Sequence, residues 1–157
     1  MPVTPDEFRR ALGRFASGVT VVTARCEDDK PCGITVSAFS SVSLTPPLVL
    51  ICIDRRASLH DYLREGGYFA VNILAEGQEE ISHRFASKVP DRFDGLVYRE
   101  GIAGSPVIEG TLATIECQIV HAYSGGDHTI LVGEVLSTQV SEGKPLLYSQ
   151  GNYARLA

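Results

Sequence analysis

The sequence predicts a mainly β fold, a closed or split antiparallel barrel with a few flanking helices, and two observations carry that expectation. Runs rich in Val, Ile and Thr recur at strand length, as in GVTVVTAR (18–25), LVLICI (48–53) and YFAVNIL (68–74). Consecutive runs are joined mostly by Gly, Pro and Asp turns rather than by helices, which favours antiparallel pairing over a doubly wound parallel sheet.

The chain starts with a helix signal. Thr4 is placed to cap, Pro5 suits the first helical position and Glu7 completes a capping box, so a helix is expected from about Pro5 to Phe15. Phe8, Ala11, Leu12 and Phe15 share one face, which predicts that this helix lies on the body of the protein. Gly18 to Arg25 and Gly33 to Ser37 then read as a hairpin across the polar turn at 27–31. Ser41 to Leu44 alternates polar and apolar, Pro46 and Pro47 mark a turn, and Leu48 to Ile53 is a buried strand.

Ser58 reads as the cap of a short helix that Gly66 and Gly67 stop near Glu65. Tyr68 to Leu74 is a buried strand. A helix over about 78–87 follows, with Ile81 and Phe85 inward and Arg84 beside Lys88 on an adjacent face. The segment 91–104 reads as loop with a short strand at 96–99. Thr111 to Tyr123 and His128 to Ser137 form a second hairpin through Ser124-Gly125-Gly126-Asp127, and Pro145 to Ser149 supplies a last pairing with Tyr153 near the end.

A chain of 157 residues with 44% hydrophobic content fits one domain over 1–157. A net charge of −5 and an isoelectric point near 5.3 argue against a nucleic-acid partner, because such binding needs clustered cations. The N-terminus MPVTPDEFRR has no apolar signal core, and no apolar run approaches the roughly 20 residues of a membrane span, so a cytoplasmic protein without a membrane partner is expected. Cys26, Cys32, Cys52 and Cys117 lack metal-ligand spacing. Cys26 and Cys32 flank a turn and could face each other across the hairpin, but without a secretion signal all four are read as thiols.

Dinucleotide, phosphate-loop, zinc-protease and nucleophile-elbow fingerprints are all absent. Three other features could carry chemistry. At Asp54-Arg55-Arg56-Ala57-Ser58 a strand ends, two cations follow and a capped helix is expected, which makes a phosphate site or simply a capped helix with exposed arginines. At Thr35-Val36-Ser37-Ala38-Phe39-Ser40-Ser41 a strand breaks into small polar residues. These let the backbone approach a flat ring such as isoalloxazine, or they are only a serine-rich strand edge. At Gly126-Asp127-His128 a histidine sits at a hairpin tip, within reach of a ligand or idle in solvent. His60, His83 and His121 have no evident partners and are read as structural or surface residues.

In this order, FRRALGRFASGVTVVTA, GITVSAFSSVSLTPPLVLICI, FAVNIL, SHRFA, GSPVIEGTLATIECQIV, GDHTILVGEV and PLLYSQGNYARL span nearly the whole chain. In these pieces the sequence resembles the short-chain flavin reductases, the reductase components of two-component flavin-dependent monooxygenases. The resemblance implies an FMN-binding split β-barrel, a homodimer with flavin near the subunit boundary, FMN or FAD as cofactor, and NADH or NADPH as hydride source. It also implies an oxygenase partner that receives reduced flavin. By position, Thr35, Val36, Ser37, Ala38 and Ser41 would hold the ring and ribityl chain, with Cys52 and Asp54 beneath it. Arg56 and Ser58 would take the phosphate, and Arg84 and Phe85 would approach from the later helix. His128, the catalytic candidate, would act as a positioning donor to the nicotinamide. Rival readings are a non-catalytic flavin-binding protein and a related split-barrel FMN-dependent oxidase.

Overall fold

The computed structural model describes residues 2–157. The capping box at the N-terminus forms as the sequence predicts. Glu7 N–H donates to Thr4 Oγ1 (3.2 Å), Thr4 N–H donates to Glu7 Oε2 (2.9 Å), and α1 runs Pro5–Leu12. The expectation that α1 packs on the body is overturned, because none of its residues is buried. Phe8, Leu12 and Phe15 are 59%, 54% and 81% exposed. The helical spacing of these residues is real, but none of the described residues covers the face they make.

The strands are β1 (Ser17–Gly18), β2 (Thr20–Arg25), β3 (Pro31–Val36), β4 (Phe39–Ser43), β5 (Leu48–Asp54), β6 (Tyr68–Ile73), β7 (Tyr98–Glu100), β8 (Pro106–Ile108), β9 (Ala113–Gly125), β10 (His128–Val140), β11 (Leu147–Ser149) and β12 (Asn152–Ala154). Seven of them form one sheet in the order β3-β2-β6-β9-β10-β5-β4, with every adjacent pair antiparallel. Both predicted hairpins are present, β2 with β3 and β9 with β10. The second closes through Gly126 and Asp127, and Gly126 takes φ +71°, a conformation that needs no β-carbon.

Sheet curvature encloses a core in which Val22, Ile51, Ile53, Phe69, Val71, Ile119 and Leu131 are all buried. Strand β5, expected as a buried apolar run, alternates in burial, with Val49, Ile51 and Ile53 inward and Leu48, Leu50, Cys52 and Asp54 on the other face. A second cluster gathers Val21, Leu74, Phe85, Phe93 and Ile108 under α2 (Glu79–Ala86). Buried Asn72 joins strands here. Its Nδ2 donates to Val21 O and Thr23 Oγ1, and its Oδ1 accepts from Ile108 N–H (3.0 Å), so the short β8 docks on β2 and β6 with its polar groups satisfied.

Two further expectations are corrected. The helix expected at Ser58 is only a 3-10 turn at His60–Tyr62, and Ser58 makes no cap bond. Buried Leu59 and Leu63 pin that turn into the core from both ends, and Gly66 follows too soon for further turns. The reading of Cys26 and Cys32 as thiols is also overturned, since they are joined by a disulfide with Cα atoms 5.9 Å apart. The β2–β3 register pairs Arg25 with Pro31, so Cys26, just past the strand end, faces Lys30 and lies diagonal to Cys32 on the same side of the hairpin. Cys52 and Cys117 are free. Among the described residues no helix is long and apolar enough to cross a membrane.

Candidate functional site

The outward face of β5 and β10 organises the site. Directly opposed residues on antiparallel strands share a face, and the register sets Cys52 against Ile130 and Asp54 against His128. The small-residue wall joins the same row, because Cys52 N–H donates to Ala38 O (3.0 Å) and Phe39 N–H donates to Ser37 O. Ser41 lies further along β4, opposite Val49. The structure therefore brings Ser37, Ala38, Cys52, Asp54 and His128 together from three separate stretches of sequence. Burial of the Cys52 thiol raises its pKa, so it meets a ligand as a neutral, weakly polar surface.

Two residues of the predicted wall turn their side chains elsewhere. Thr35 Oγ1 donates to Ser82 O (2.7 Å), which ties β3 to α2, and Val36 is buried in the core while its carbonyl accepts from Thr20 Oγ1 (2.6 Å). A small cleft of about 240 Å³ borders the wall, lined by Ser17, Gly18, Thr20, Ser37, Phe39 and Ile73.

At the end of β5, Asp54 accepts three bonds from Arg56: main-chain N–H (2.8 Å), Nε (3.2 Å) and Nη2 (2.9 Å). These bonds, helped by the nearby charges of Arg56 and His128, hold the Asp54 carboxyl well below the usual carboxylate range. Asp54 correspondingly raises the pKa of Arg56. The Arg56 side chain is otherwise open to solvent, at 87% exposure. It is a cation on a fixed carboxylate, able to turn one edge to an anion.

Ser58 lines a cleft of about 340 Å³ with Cys32, Gly33, Lys88, Arg92 and Phe93. Neither basic residue stood out in the sequence as part of a site. Arg92 Nη1 donates to Gly33 O (2.7 Å) and its Nη2 to Ser87 O, so the guanidinium bridges β3 to the loop after α2. Burial lowers its pKa. Lys88 adds a second cation at the rim. The cleft thus has the hydroxyl and cations that a phosphate needs, without the helix start expected to supply them.

The two residues expected from α2 do not reach this cleft as ligand contacts. Phe85 is fully buried, packed edge-on to Phe93 with ring centroids 5.0 Å apart, and supports the wall from behind. Arg84 pairs with Glu80 (3.0 Å) and donates to Asp94 O (2.7 Å), which commits it to the loop.

His128 stands at the hairpin tip, partly exposed, with Nδ1 2.7 Å from Asp127 Oδ1. An Nδ1–H donated to Asp127 leaves Nε2 of the neutral ring as an acceptor, so the donor role expected from the sequence requires the protonated ring. His60, expected to have no partner, has two. Its Nδ1 lies 3.0 Å from Asp61 Oδ1 and its Nε2 2.8 Å from Thr129 Oγ1.

Comparison with known proteins follows the same lines. A family model described as a flavin reductase like domain matches residues 12–157. The chain is 46% identical over 158 residues to an NADH-dependent flavin reductase of Rhodococcus sp, covering 98% of this chain and 88% of that protein. It is 40% identical over 154 residues to the reductase subunit HsaB of a flavin-dependent monooxygenase from Mycobacterium tuberculosis, covering 96% and 82%. It superposes with a TM-score of 0.94 and 41% identity on the NADH:FAD oxidoreductase SgcE6 of Streptomyces globisporus C-1027, solved with NAD and FAD fragments, over 100% of this chain and 95% of that one.

Proposed function

The chain belongs to the flavin reductase-like family, and from this we infer that it is an NAD(P)H-dependent flavin reductase that reduces FMN or FAD and supplies reduced flavin to a partner monooxygenase. The names of its relatives support each part of this reading: an NADH-dependent flavin reductase, a reductase subunit of a monooxygenase, and an oxidoreductase solved with fragments of both nucleotides. The observation that carries it is the register of β5 and β10. It places the hairpin-tip histidine directly across from Asp54, on the face that the small residues at 37–38 border.

The residues present fit a flavin. The backbone at 37–38 and the Cys52 side chain offer a flat, weakly polar surface, and Ser58, Lys88 and Arg92 offer hydroxyl and charge to a phosphate. A flavin held here would supply the hydride acceptor and a nicotinamide the donor, so the chain's own contribution is to place the two rings. His128 meets the nicotinamide side, with its ring orientation set by Asp127. Thr35 and Phe85 hold the wall in place against α2.

The reading extends to architecture and assembly. A single domain over 1–157 forms a split barrel, and two copies associate through surfaces that include the apolar face of α1. The exposed Phe8, Leu12 and Phe15 support this, as do the exposed Val42 of β4 and Leu44 just after it. The site is assigned to the cytoplasm, where NAD(P)H is available.

The test is a steady-state assay of the purified chain with NADH or NADPH and with FMN or FAD, read as loss of reduced nicotinamide. Turnover is expected. Flavin held without sustained nicotinamide oxidation would make the chain a flavin-binding protein instead.

A further inference from the structure

Thr129 and His128 are neighbours on β10 and point to opposite faces. Thr129 opposes Ile53, which is fully buried, so its hydroxyl is on the inner side of the sheet, while His128 opposes Asp54 on the outer side. On the inner side the 3-10 turn closes the end of the barrel, and there His60 Nε2 meets Thr129 Oγ1 at 2.8 Å. Asp61 Oδ1, 3.0 Å from Nδ1, fixes the ring orientation and makes Nε2 an acceptor for the threonine hydroxyl. The turn itself cannot drift, because Leu59 and Leu63 on either side of it are buried.

We propose that His60 is a positioning residue for flavin reduction, one that holds Thr129 inward and thereby keeps His128 outward at the nicotinamide side. It touches neither nucleotide. Two other bonds tie the same tip to the 54–58 segment, Arg55 N–H to Asp127 O (3.0 Å) and Arg55 Nη2 to Ser124 Oγ (2.7 Å), the second at the residue that pairs with Thr129 across the hairpin. His128 to Ile130 pair with Asp54 to Cys52 on one side and with Gly125 to Tyr123 on the other, so the ladders hold the main chain and His60 adds the side-chain tie between Thr129 and the 3-10 turn. The His60–Thr129 bond also survives protonation of the ring, since the hydroxyl can then accept instead of donate.

This inference rests on the assignment of His128 to the nicotinamide, and its test separates the two. His60→Ala is expected to raise the KM for NADH roughly 5- to 30-fold, the scale of one part-buried hydrogen bond, while flavin affinity changes less than about twofold. His60→Gln, whose amide can reach the Thr129 hydroxyl, is expected to recover most of the loss. Thr129→Val should reproduce the His60→Ala effect, and combining the two should add little. Backbone amide exchange at 125–130 should accelerate in His60→Ala. That readout judges the positioning even if the chain turns out to oxidise no NADH. If His128→Ala raises the KM while His60→Ala and Thr129→Val leave it unchanged, His60 has no such role. If exchange at the tip is unaltered, or if flavin and NADH affinity fall together, the inference is likewise overturned.

Discussion

Gly33 lies so close to the ring of Phe85 that a β-carbon at that position would stand 2.9 Å from its Cε1 and 3.1 Å from Val22 O. Phe85 is buried against Phe93 and cannot swing away, and the Val22 carbonyl belongs to the paired strand. Gly33→Ala should therefore cost about 1–3 kcal/mol in urea unfolding, as overpacking does. It should also weaken flavin binding, because Gly33 lines the cleft with Ser58 and its carbonyl holds Arg92.

Ser58→Ala leaves every hydrogen bond of the fold intact, because Ser58 takes part in no cap. Its effect should appear in ligand affinity alone. FMN is expected to bind about 10-fold more weakly, as when one charge-assisted bond is lost, with riboflavin nearly unaffected. Fluorescence titration of the two flavins decides it, and equal losses would remove the phosphate from this cleft.

His128→Ala should raise the KM for NADH more than it weakens flavin affinity, since the ring stands at the tip beside Asp127 and not in the Ser58 cleft. Asp127→Asn keeps a bond to Nδ1 and should fall between wild type and alanine. Steady-state kinetics with each substrate varied in turn checks both.

Cys117 gives the fold an alkaline limit. Burial, with the charge of Glu116 as a smaller cause, pushes its thiol from 9.0 up to about 12. The folded chain then holds this proton over a pH range in which the unfolded chain releases it. Stability is fully present below about pH 9 and is lost as pH rises toward 12, by up to ~4 kcal/mol for a single group. Urea midpoints across this range should fall steeply for the native chain and more gently for Cys117→Ala.

The apolar face of α1 predicts association. Light scattering should give a dimer for the native chain. Replacing Phe8 and Phe15 by Asp should give a monomer with an unchanged far-ultraviolet spectrum, because neither ring contributes to the core.

What the sequence disclosed and what it hid divide along the range of the interactions. The α1 cap, the two hairpins and the existence of β5 depend on residues a few positions apart, and each is present as the residue pattern predicts. The failures come where distant groups decide the outcome. Nothing near Ser58 says that Leu59 and Leu63 will be drawn into the core and cut a helix to one turn. β8 is three residues long and is held by Asn72, 36 positions away. His60 looks idle until the fold brings Thr129 to it across 69 positions. Lys88 and Arg92 sit in a loop with no motif and acquire a role only when β3 passes beside them. The outward face of α1 departs from its pattern for a different reason, since helical periodicity tells that a face is apolar but not which molecule covers it.

The strict alternation of β5 means that one step along the chain changes which property a substitution touches. At Val49, Ile51 and Ile53 a new side chain is tested by the interior, and at Leu50, Cys52 and Asp54 by whatever lies against the outer surface. Ligand preference can therefore drift along the second set while the first keeps the chain folded, so a single strand gives its lineage freedom to change nucleotide partners without rebuilding the protein.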